Sequence, residues 1–288
     1  MYASTIVFII VYILDLFIAY TMSGLTGIFF TMFALPVAVV IQQKPCMLSV
    51  GATRLDKLDD IDQDRLRAAF ENVLQSAEKQ GYSFSRNPKI YLLESDELNA
   101  FSCGQCIVIN RGLINTICIH GVISHEIKHW KYGDSYCSCL ISSSVSILML
   151  MLMVTLGISV ISVALVTALI FGIIFGSTAA LISGTIVARI LNFLKNIIIN
   201  ATYWVINILQ MAFSRFNEFK ADEWAARIGY ADDLLLFLNL TKSDDVRFTS
   251  LTQRLLSTHP SNGKRIERLK QIKKQIGYND TLSLQFDL

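Results

Sequence analysis

The chain has 288 residues, of which 53% are hydrophobic and 17% are charged, and its mean hydropathy is +0.48. An ordinary soluble domain is about 45–50% apolar and about 25% charged, so this composition argues against a freely soluble globule. It also excludes intrinsic disorder, which requires low hydrophobicity and high net charge. The formal net charge is +2, so nothing indicates a nucleic-acid partner.

The N-terminal stretch is almost free of charge. Residues 1–43 contain one charged side chain, Asp15. Because a membrane helix needs about 20 mainly apolar residues, the stretch predicts two spans, roughly Ile6–Tyr20 with its flanks and Leu25–Ile41. A cleaved signal peptide is the alternative interpretation. It is disfavoured because there is no basic n-region and a second apolar segment follows at once.

Residues 44–134 form a first water-soluble block with many charges of both signs. An amphipathic helix is predicted over Asp56–Ala77, because its apolar side chains lie near one face. Short strands are predicted over Lys89–Leu93 and Ile107–Ile109. The block is followed by a second apolar stretch.

The second apolar stretch, 140–213, has the length of three helices, and its only charges are Arg189 and Lys195. Three glycines are possible breaks: Gly172, Gly176 and Gly184. Polar side chains recur at intervals of three, four and seven, which places them along one stripe of a helix. The stripe consists of Asn192, Asn196, Asn200, Asn207, Gln210, Ser214 and Asn217. It is typical of an interface helix or a bundle contact, and the alternative is a polar lining for a substrate cleft.

Residues 214–288 form a second water-soluble block. Helices are predicted over Ala231–Leu240 and Asn262–Ile276, the second of them basic and exposed. No internal repeat and no low-complexity linker is evident.

The segment His125-Glu126-Ile127-Lys128-His129 carries a pattern with chemical meaning. On a helix, positions i and i+4 lie on one face, so His125 and His129 can hold one Zn²⁺ ion. Glu126 follows the first histidine and can act as general base on the attacking water. A solvated helix face is the alternative for so short a pattern.

A catalytic zinc usually has three protein ligands, and the chain contains few further histidines. Only His120 and His259 remain, so a carboxylate is the expected third ligand. Glu218 and Asp222 are i and i+4 on a predicted helix. Glu218 could bind zinc while Asp222 accepts a hydrogen bond from a ligand imidazole and fixes its tautomer. Glu223 is the competing ligand. His120 is five residues before His125 and is expected to be structural.

The chain resembles the HtpX-type integral-membrane zinc metalloproteases, which are relatives of the CAAX prenyl proteases. Four segments carry the resemblance and occur in the family's order. They are Asn99-Ala100-Phe101; His125 through Gly133 and Asp134; Ser214, Arg215, Glu218, Phe219, Ala221 and Asp222; and Ser257 to Pro260 with Lys264, Arg265 and Ile266. The two N-terminal spans also agree with the family.

The resemblance implies a role for each matching residue. His125, His129 and Glu218 would bind one Zn²⁺ ion and Glu126 would be the catalytic base. His259 would stabilise the oxyanion, with a packed helix-start histidine as the alternative. The resemblance also implies that Arg265 pairs with a carboxylate of the site or binds substrate, with an exposed basic helix as the alternative. Asn99, Ala100 and Phe101 would form an edge strand for the substrate backbone, with ordinary sheet packing as the alternative.

The expected fold is mainly α: a polytopic membrane protein with about four transmembrane helices and a zincin-like (gluzincin) α+β catalytic domain. The expected parts are a transmembrane hairpin (1–43), a first catalytic part (44–139), a second transmembrane pair (140–213) and a second catalytic part (214–288). Because ligands come from both blocks, the crossings between them must be even in number.

Two arrangements of 140–213 satisfy that condition. In the first, Leu140–Leu165 or slightly more crosses the membrane and Ile197–Phe213 returns. In the second, the return crossing is about Val166–Val187, and residues 189–213 lie along the interface. The family pattern favours the first, whereas the positions of Arg189 and Lys195 favour the second.

The loop between the first two spans has no Lys or Arg, so the positive-inside rule places both blocks and the N-terminus in the cytoplasm. The resemblance adds a bacterial inner membrane and the hydrolysis of misfolded or damaged membrane proteins, with polypeptides and the lipid bilayer as partners. The alternatives are a CAAX-type prenyl protease and a non-enzymatic scaffold or chaperone.

The cysteines give a weaker signal. Cys103 and Cys106 have C-x-x-C spacing, but Cys137 and Cys139 do not complete a zinc ribbon. We expect most of the thiols to be plain buried side chains.

Overall fold

The computed structural model of the chain describes residues 2–25, 27–28, 31–37, 51–57, 61–241 and 260–286. The chain divides into two compact units, each built from segments distant in sequence. The first unit consists of Met1–Ser4, Ile41–Cys139 and Met211–Leu288, and the second of Thr5–Val40 and Leu140–Gln210.

The first unit contains a small mixed sheet. Its strands are β1 (Thr53–Arg54), β2 (Lys89–Leu93), β3 (Ala100–Cys103) and β4 (Cys106–Asn110), in the order β1-β2-β4-β3. β2 is parallel to β4, and the other neighbours are antiparallel. The strand predicted over Lys89–Leu93 has those bounds, and the one predicted over Ile107–Ile109 is one residue longer at each end. Among the strands that the structure describes, β3 lies at the edge of the sheet, beside β4.

Five of the described helices lie wholly within the first unit. They are α2 (Ile61–Lys79), α3 (Arg111–Ile114), α4 (Ile119–Tyr132), α7 (Ala231–Leu240) and α8 (Asn262–Phe286). The helix predicted over Asp56–Ala77 starts later than expected, because Leu55–Lys57 form a separate 3₁₀ turn and α2 begins at Ile61. Acidic side chains in its first turn, Asp62 and Asp64, suit the positive end of the helix dipole.

Helix α4 runs through the middle of the core. Eleven of the twelve positions from Ile119 to Trp130 are buried, His120 being the exception, and Ile123 and Ile127 are fully enclosed. The helix ends at Gly133, whose φ of 66° is left-handed and whose N–H bonds the carbonyls of His129 and Trp130. Only a glycine adopts this conformation without strain, and the turn brings Asp134 back toward the last turn of α4.

Two long helices, α5 (Asp134–Phe175, 42 residues) and α6 (Ser177–Arg227, 51 residues), hold the second apolar stretch. At about 1.5 Å per residue they are about 63 and 76 Å long. They are separated only by Gly176, whose φ is 91°. Gly172 and Gly184, the other predicted breaks, lie inside the helices. Each of them faces a small side chain, Ala180 or Ala168, so the two helices approach closely there.

The bounds predicted for the crossings in this stretch need correction. The outgoing helix continues to Phe175, ten residues beyond Leu165. A return crossing over Val166–Val187 is therefore wrong in its first half, because residues 166–175 belong to the outgoing helix. The return helix begins at Ser177 and runs without a break through 189–213, so it contains Ile197–Phe213, and a crossing over those residues stays a prediction. The physical reason is that only Gly176 takes the left-handed backbone that ends a helix.

Two helices among the described residues, α5 and α6, are long and apolar enough to cross a membrane. A shorter apolar helix, α1 (Tyr2–Ser23), precedes them, and residues 25, 27–28 and 31–37 are also helical. The second unit exposes many large apolar side chains, including Ile161, Leu165 and Phe175. Such a surface is costly in water and suits lipid. The count of four transmembrane helices stays a prediction.

Asp15 is the one acidic side chain of the second unit, and it is completely buried. Ser144 of α5 donates a hydrogen bond to its Oδ2 atom. This contact joins α1 to α5 inside an apolar environment, where polar pairs hold helices together.

The predicted polar stripe on α6 is exposed in its first part and half-buried from Asn207 onward. Asn192, Asn196 and Asn200 are exposed, and the amide of Asn207 donates to the carbonyl of Tyr203 in its own helix. Neither of the two functions proposed for the stripe is decided by these positions.

Candidate metal centre

Three side chains from the two soluble blocks meet in the core of the first unit. His125 and His129 stand on α4, and Glu218 stands on α6. The two Nε2 atoms are 3.1 Å apart. Glu218 Oε2 is 3.4 Å from Nε2 of His125, and Glu218 Oε1 is 3.5 Å from Nε2 of His129. All three side chains are buried.

A carboxylate lies against the other nitrogen of each imidazole. Asp222 Oδ1 is 2.9 Å from Nδ1 of His125, and Asp134 Oδ2 is 2.8 Å from Nδ1 of His129. Nη2 of Arg265 is also 3.3 Å from Nδ1 of His125. The shorter contact to a carboxylate assigns the ring proton of His125 to Nδ1, because a carboxylate only accepts. In the neutral rings, both Nε2 atoms then carry lone pairs.

These lone pairs and the oxygens of Glu218 point toward one spot, an arrangement that a cation stabilises. Tetrahedral ligands at about 2.0–2.1 Å from a Zn²⁺ ion are about 3.3–3.4 Å apart, and the three separations are close to that value. Two imidazoles and one carboxylate are also a donor set that zinc takes in catalytic sites with an open fourth position. The residues present therefore fit a zinc ion.

The charges around this spot are buried together. Four carboxylates, those of Glu126, Asp134, Glu218 and Asp222, are each at most 7% exposed. Two cations accompany them, Lys128 and Arg265, which are 5% and 8% exposed. Among the described residues, these buried carboxylates outnumber the buried cations by two, and a divalent cation would balance that difference. An excess of buried charge of one sign is costly, so the centre favours occupation by such an ion.

The buried carboxylates also shift the pKa values of the two imidazoles. Burial alone would lower the pKa of His129, but the hydrogen bonds with Asp134 and Glu218 outweigh it and raise the pKa to about 10. For His125, burial also acts downward, and Asp222 and Glu218 raise the net pKa above its usual value. Burial raises the pKa of Glu126, with nearby His125 and His129 opposing it. A raised pKa makes a carboxylate a better proton acceptor when it is ionised.

The structure brings several further predicted residues to the centre. Asp222 contacts His125, and Arg265 donates to both oxygens of Asp222, at 2.9 Å from Nε and 2.6 Å from Nη2. Nη1 of Arg265 is 3.4 Å from Oε2 of Glu218. The basic helix predicted over Asn262–Ile276 is thus not exposed at this position. Its N-terminal part faces the core.

Other predicted residues lie elsewhere. Glu223, the competing ligand, pairs with Lys220 and Arg227 on the outer face of α6. His120 stacks on Tyr230 at 5.7 Å, and its Nδ1 is 3.9 Å from Asp233, outside the metal cluster. His259 lies outside the described residues.

The edge strand and the cysteines also have clear places. Asn99 directly precedes β3, and its side chain accepts a hydrogen bond from the backbone N–H of Ala100 at 2.9 Å. Phe101 pairs with Val108 of β4, and β3 packs on α4. Cys103 and Cys106 are opposite each other where β3 turns into β4. The five described cysteines form no disulfide.

Sequence reasoning named Asp134 only as part of a motif and gave Lys128 no role. Asp134 contacts His129, and Lys128 donates to the same carboxylate. Gly133, directly before Asp134, is the sequence feature from which this contact could have been predicted. A left-handed residue after a helix turns the chain back, so the next side chain can reach the helix's last turn.

Comparison with known proteins agrees with this geometry. The sequence profile described as Peptidase family M48 matches residues 60–273, about three quarters of the chain. That segment includes the residues of the centre: His125, Glu126, His129, Glu218 and Asp222.

The chain belongs to peptidase family M48. It is therefore a metallopeptidase, and its long apolar helices make it a membrane member of the family. The resemblance to HtpX-type proteases is confirmed by individual relatives. A "Protease HtpX homolog" from Pyrococcus abyssi is 26% identical over 221 residues, covering 66% of this chain and 69% of the relative.

Two further relatives extend the comparison. An HtpX homologue from Neisseria meningitidis is 28% identical over 228 residues, covering 69% of this chain and 72% of the relative. The Bacillus subtilis homologue is 24% identical over 213 residues, and the alignment covers 65% of this chain and 64% of the relative. The alignments thus span about two thirds of the relatives.

A solved structure shares the fold. The crystal structure of Ste24p from S. mikatae matches with a TM-score of 0.52 and 18% identity, covering 90% of this chain and 62% of Ste24p. At that identity the likeness concerns the fold alone.

Proposed function

We propose that the chain is a zinc-dependent endopeptidase that hydrolyses misfolded or damaged membrane proteins from the cytoplasmic side of a cell membrane. The observation that carries the zinc assignment is the convergence of two imidazole lone pairs and a carboxylate on one buried spot. Family membership supplies the peptidase activity. The names of the relatives and the two long apolar helices support a substrate at or in the bilayer.

When bound, Zn²⁺ supplies a Lewis acid that polarises the scissile carbonyl and lowers the pKa of the attacking water toward about 7. Glu126 accepts the proton of that water on its carboxylate and passes it to the leaving amine. Asp222 and Asp134 keep the protons of His125 and His129 on Nδ1 and so hold both rings in the ligating orientation. His259 stays a predicted donor to the developing oxyanion.

Strand β3 is the proposed support for the substrate backbone. Asn99 Oδ1 already accepts from the N–H of Ala100, and the hydroxyl of Ser135 donates to the carbonyl of Ser102. Because the backbone groups of a strand alternate in direction, the outer edge then offers the carbonyl of Ala100 and the N–H of Ser102. An extended peptide can add to the edge through these two groups.

The experiment that tests the proposed reaction compares the wild-type chain with Glu126→Gln. We expect Glu126→Gln to keep its zinc, since Glu126 is not a ligand, and to lose casein hydrolysis because the proton acceptor is gone. A loss of about 10²–10⁴-fold is typical for removal of a general base. Full activity in the variant would refute the base assignment.

The proposed substrate class needs its own test. We expect a membrane-embedded substrate in a bilayer to be cleaved faster than soluble unfolded casein. Equal rates in detergent and in bilayer would count against it. A CAAX-type protease remains the alternative function. Cleavage that requires a prenyl group on the peptide would establish it in place of the quality-control role.

A further inference from the structure

Lys128 is a buried lysine inside the metal-binding helix. It lies between His125 and His129 in sequence and is only 5% exposed. A buried ammonium group is costly unless it is paired and hydrogen-bonded. Its Nζ atom donates to Oδ2 of Asp134 and, at 3.3 Å, to the backbone carbonyl of Asn217.

Each of these two contacts supports a metal ligand. Oδ2 of Asp134 is the same oxygen that lies 2.8 Å from Nδ1 of His129, whereas Oδ1 of Asp134 is buried and has no hydrogen-bond partner among the described residues. The ammonium therefore fixes which oxygen faces the imidazole. Asn217 directly precedes Glu218, so the second contact holds the backbone of α6 beside the third ligand.

Arg265 has the corresponding position on the other side of the centre. It donates to both oxygens of Asp222, which contacts His125, and its Nη1 is 3.4 Å from Glu218 Oε2. Each histidine is thus followed by a carboxylate and then by a buried cation. Glu218 is supported from both sides, through its backbone neighbour by Lys128 and through its carboxylate by Arg265.

We propose that Lys128 is a positioning residue of the metal centre. Lys128 holds Asp134 against His129 and anchors the Glu218 segment of α6, and Arg265 has the corresponding role on the His125 side. The proposal rests on the proposed zinc site. It assigns Lys128 no contact with substrate. Its effect is to keep His129 and Glu218 in the ligating arrangement before the metal arrives, and to slow the loss of the metal afterwards.

The test measures the release of zinc from purified full-length protein to an excess of chelator. Removing the support of a ligand typically costs 10–100-fold in metal affinity, so Lys128→Met is expected to release zinc about 10–100-fold faster than the wild type. Lys128→Arg keeps the charge and should restore most of the difference. Lys131→Met is the matched control, because Lys131 lies on the same helix but contacts Ser83 and Phe84, and its release rate should equal that of the wild type.

A double-mutant cycle separates positioning from a general packing defect. If Lys128 acts through Asp134, the double variant Lys128→Met/Asp134→Asn should release zinc more slowly than the product of the two single fold-changes in release rate predicts. The absorption spectrum of the Co²⁺-substituted protein provides a second readout, and it should change in Lys128→Met and stay unchanged in Lys131→Met.

Each outcome has one meaning. Wild-type release in Lys128→Met, or effects of Lys128→Met and Asp134→Asn that multiply fully, would overturn the role of Lys128. A wild-type chain that holds no zinc at all would instead overturn the proposed zinc site on which this role depends. Lys128→Met and Lys131→Met with equally fast release would also overturn it, since the effect would not be specific to the buried ammonium.

Discussion

Two aspartates decide how the histidines of this chain can act. A free imidazole can carry its proton on either nitrogen, and only one choice leaves Nε2 ready for a metal. Asp222 and Asp134 lie against Nδ1 of His125 and His129, so in the neutral form of each ring the proton stays on Nδ1 and the lone pair stays on Nε2. The sequence predicted the first partner from its i, i+4 spacing to Glu218. It missed the role of the second, because that contact depends on the backbone turn at Gly133.

The raised pKa of His129 predicts a pH dependence of metal binding. A group whose folded-state pKa is about 10 is protonated at neutral pH in the metal-free chain, and zinc must displace that proton. The apparent zinc affinity should therefore rise with pH, by about tenfold per pH unit for each proton displaced, between about pH 7 and 9.

Competition with a chelator of known affinity at several pH values measures this slope. His120→Ala is the control, because His120 is outside the cluster, and its slope should match that of the wild type. A zinc affinity that is constant or falls over this range would contradict the protonation assigned to the centre.

At the scale of elements, the close approach of α4 and α7 is a specific requirement of the fold. A Cβ atom on Gly121 would lie 2.4 Å from the backbone nitrogen of Leu234 and 2.7 Å from the carbonyl carbon of Asp233. Gly121→Ala should therefore lower the free energy of unfolding by about 1–3 kcal/mol, the usual cost of overpacking. Gly263→Ala, where a Cβ meets nothing within 4 Å, should cost nothing. Thermal unfolding in detergent compares the two, and equal stability of both variants would argue against this packing.

Strand β3 makes a second prediction at this scale. Ser102→Pro removes the backbone N–H that we assign to the substrate, whereas Ser102→Ala keeps it. Loss of one hydrogen bond, worth about 0.5–1.5 kcal/mol, should lower kcat/KM by about 2- to 10-fold in the proline variant only. Both variants should hold as much zinc as the wild type. An equal loss in Ser102→Ala would show that the edge N–H is not used.

The elements could largely be predicted, and so could the limits of β2 and α7, whereas the limits of the long apolar helices could not. Periodicity located α2, β2, β4 and α7, and the motif located α4. The helix break in 140–213 was harder, because three glycines occur in one apolar run and composition does not show which of them takes a left-handed backbone. The structure selects Gly176, while Gly172 and Gly184 serve close contacts between helices.

On the scale of the whole molecule, the chain alternates between apolar and soluble segments and builds one compact unit from two soluble blocks. Charge distribution predicted the alternation, since residues 135–188 have no charge at all. The meeting of the blocks could be inferred only by demanding a third metal ligand. The sequence alone did not show which tertiary contacts bury that ligand, and Lys128 and Arg265 became interpretable only once Asp134 and Asp222 were placed.

The most direct test of the central claim is the zinc content of the purified chain beside Glu218→Ala and Glu223→Ala. Glu218 converges with His125 and His129, whereas Glu223 pairs with Lys220 and Arg227 on the outer face of α6. We predict about one zinc per chain in the wild type and in Glu223→Ala, and loss of zinc to a mild chelator in Glu218→Ala. Retention of zinc by Glu218→Ala together with its loss from Glu223→Ala would contradict the account.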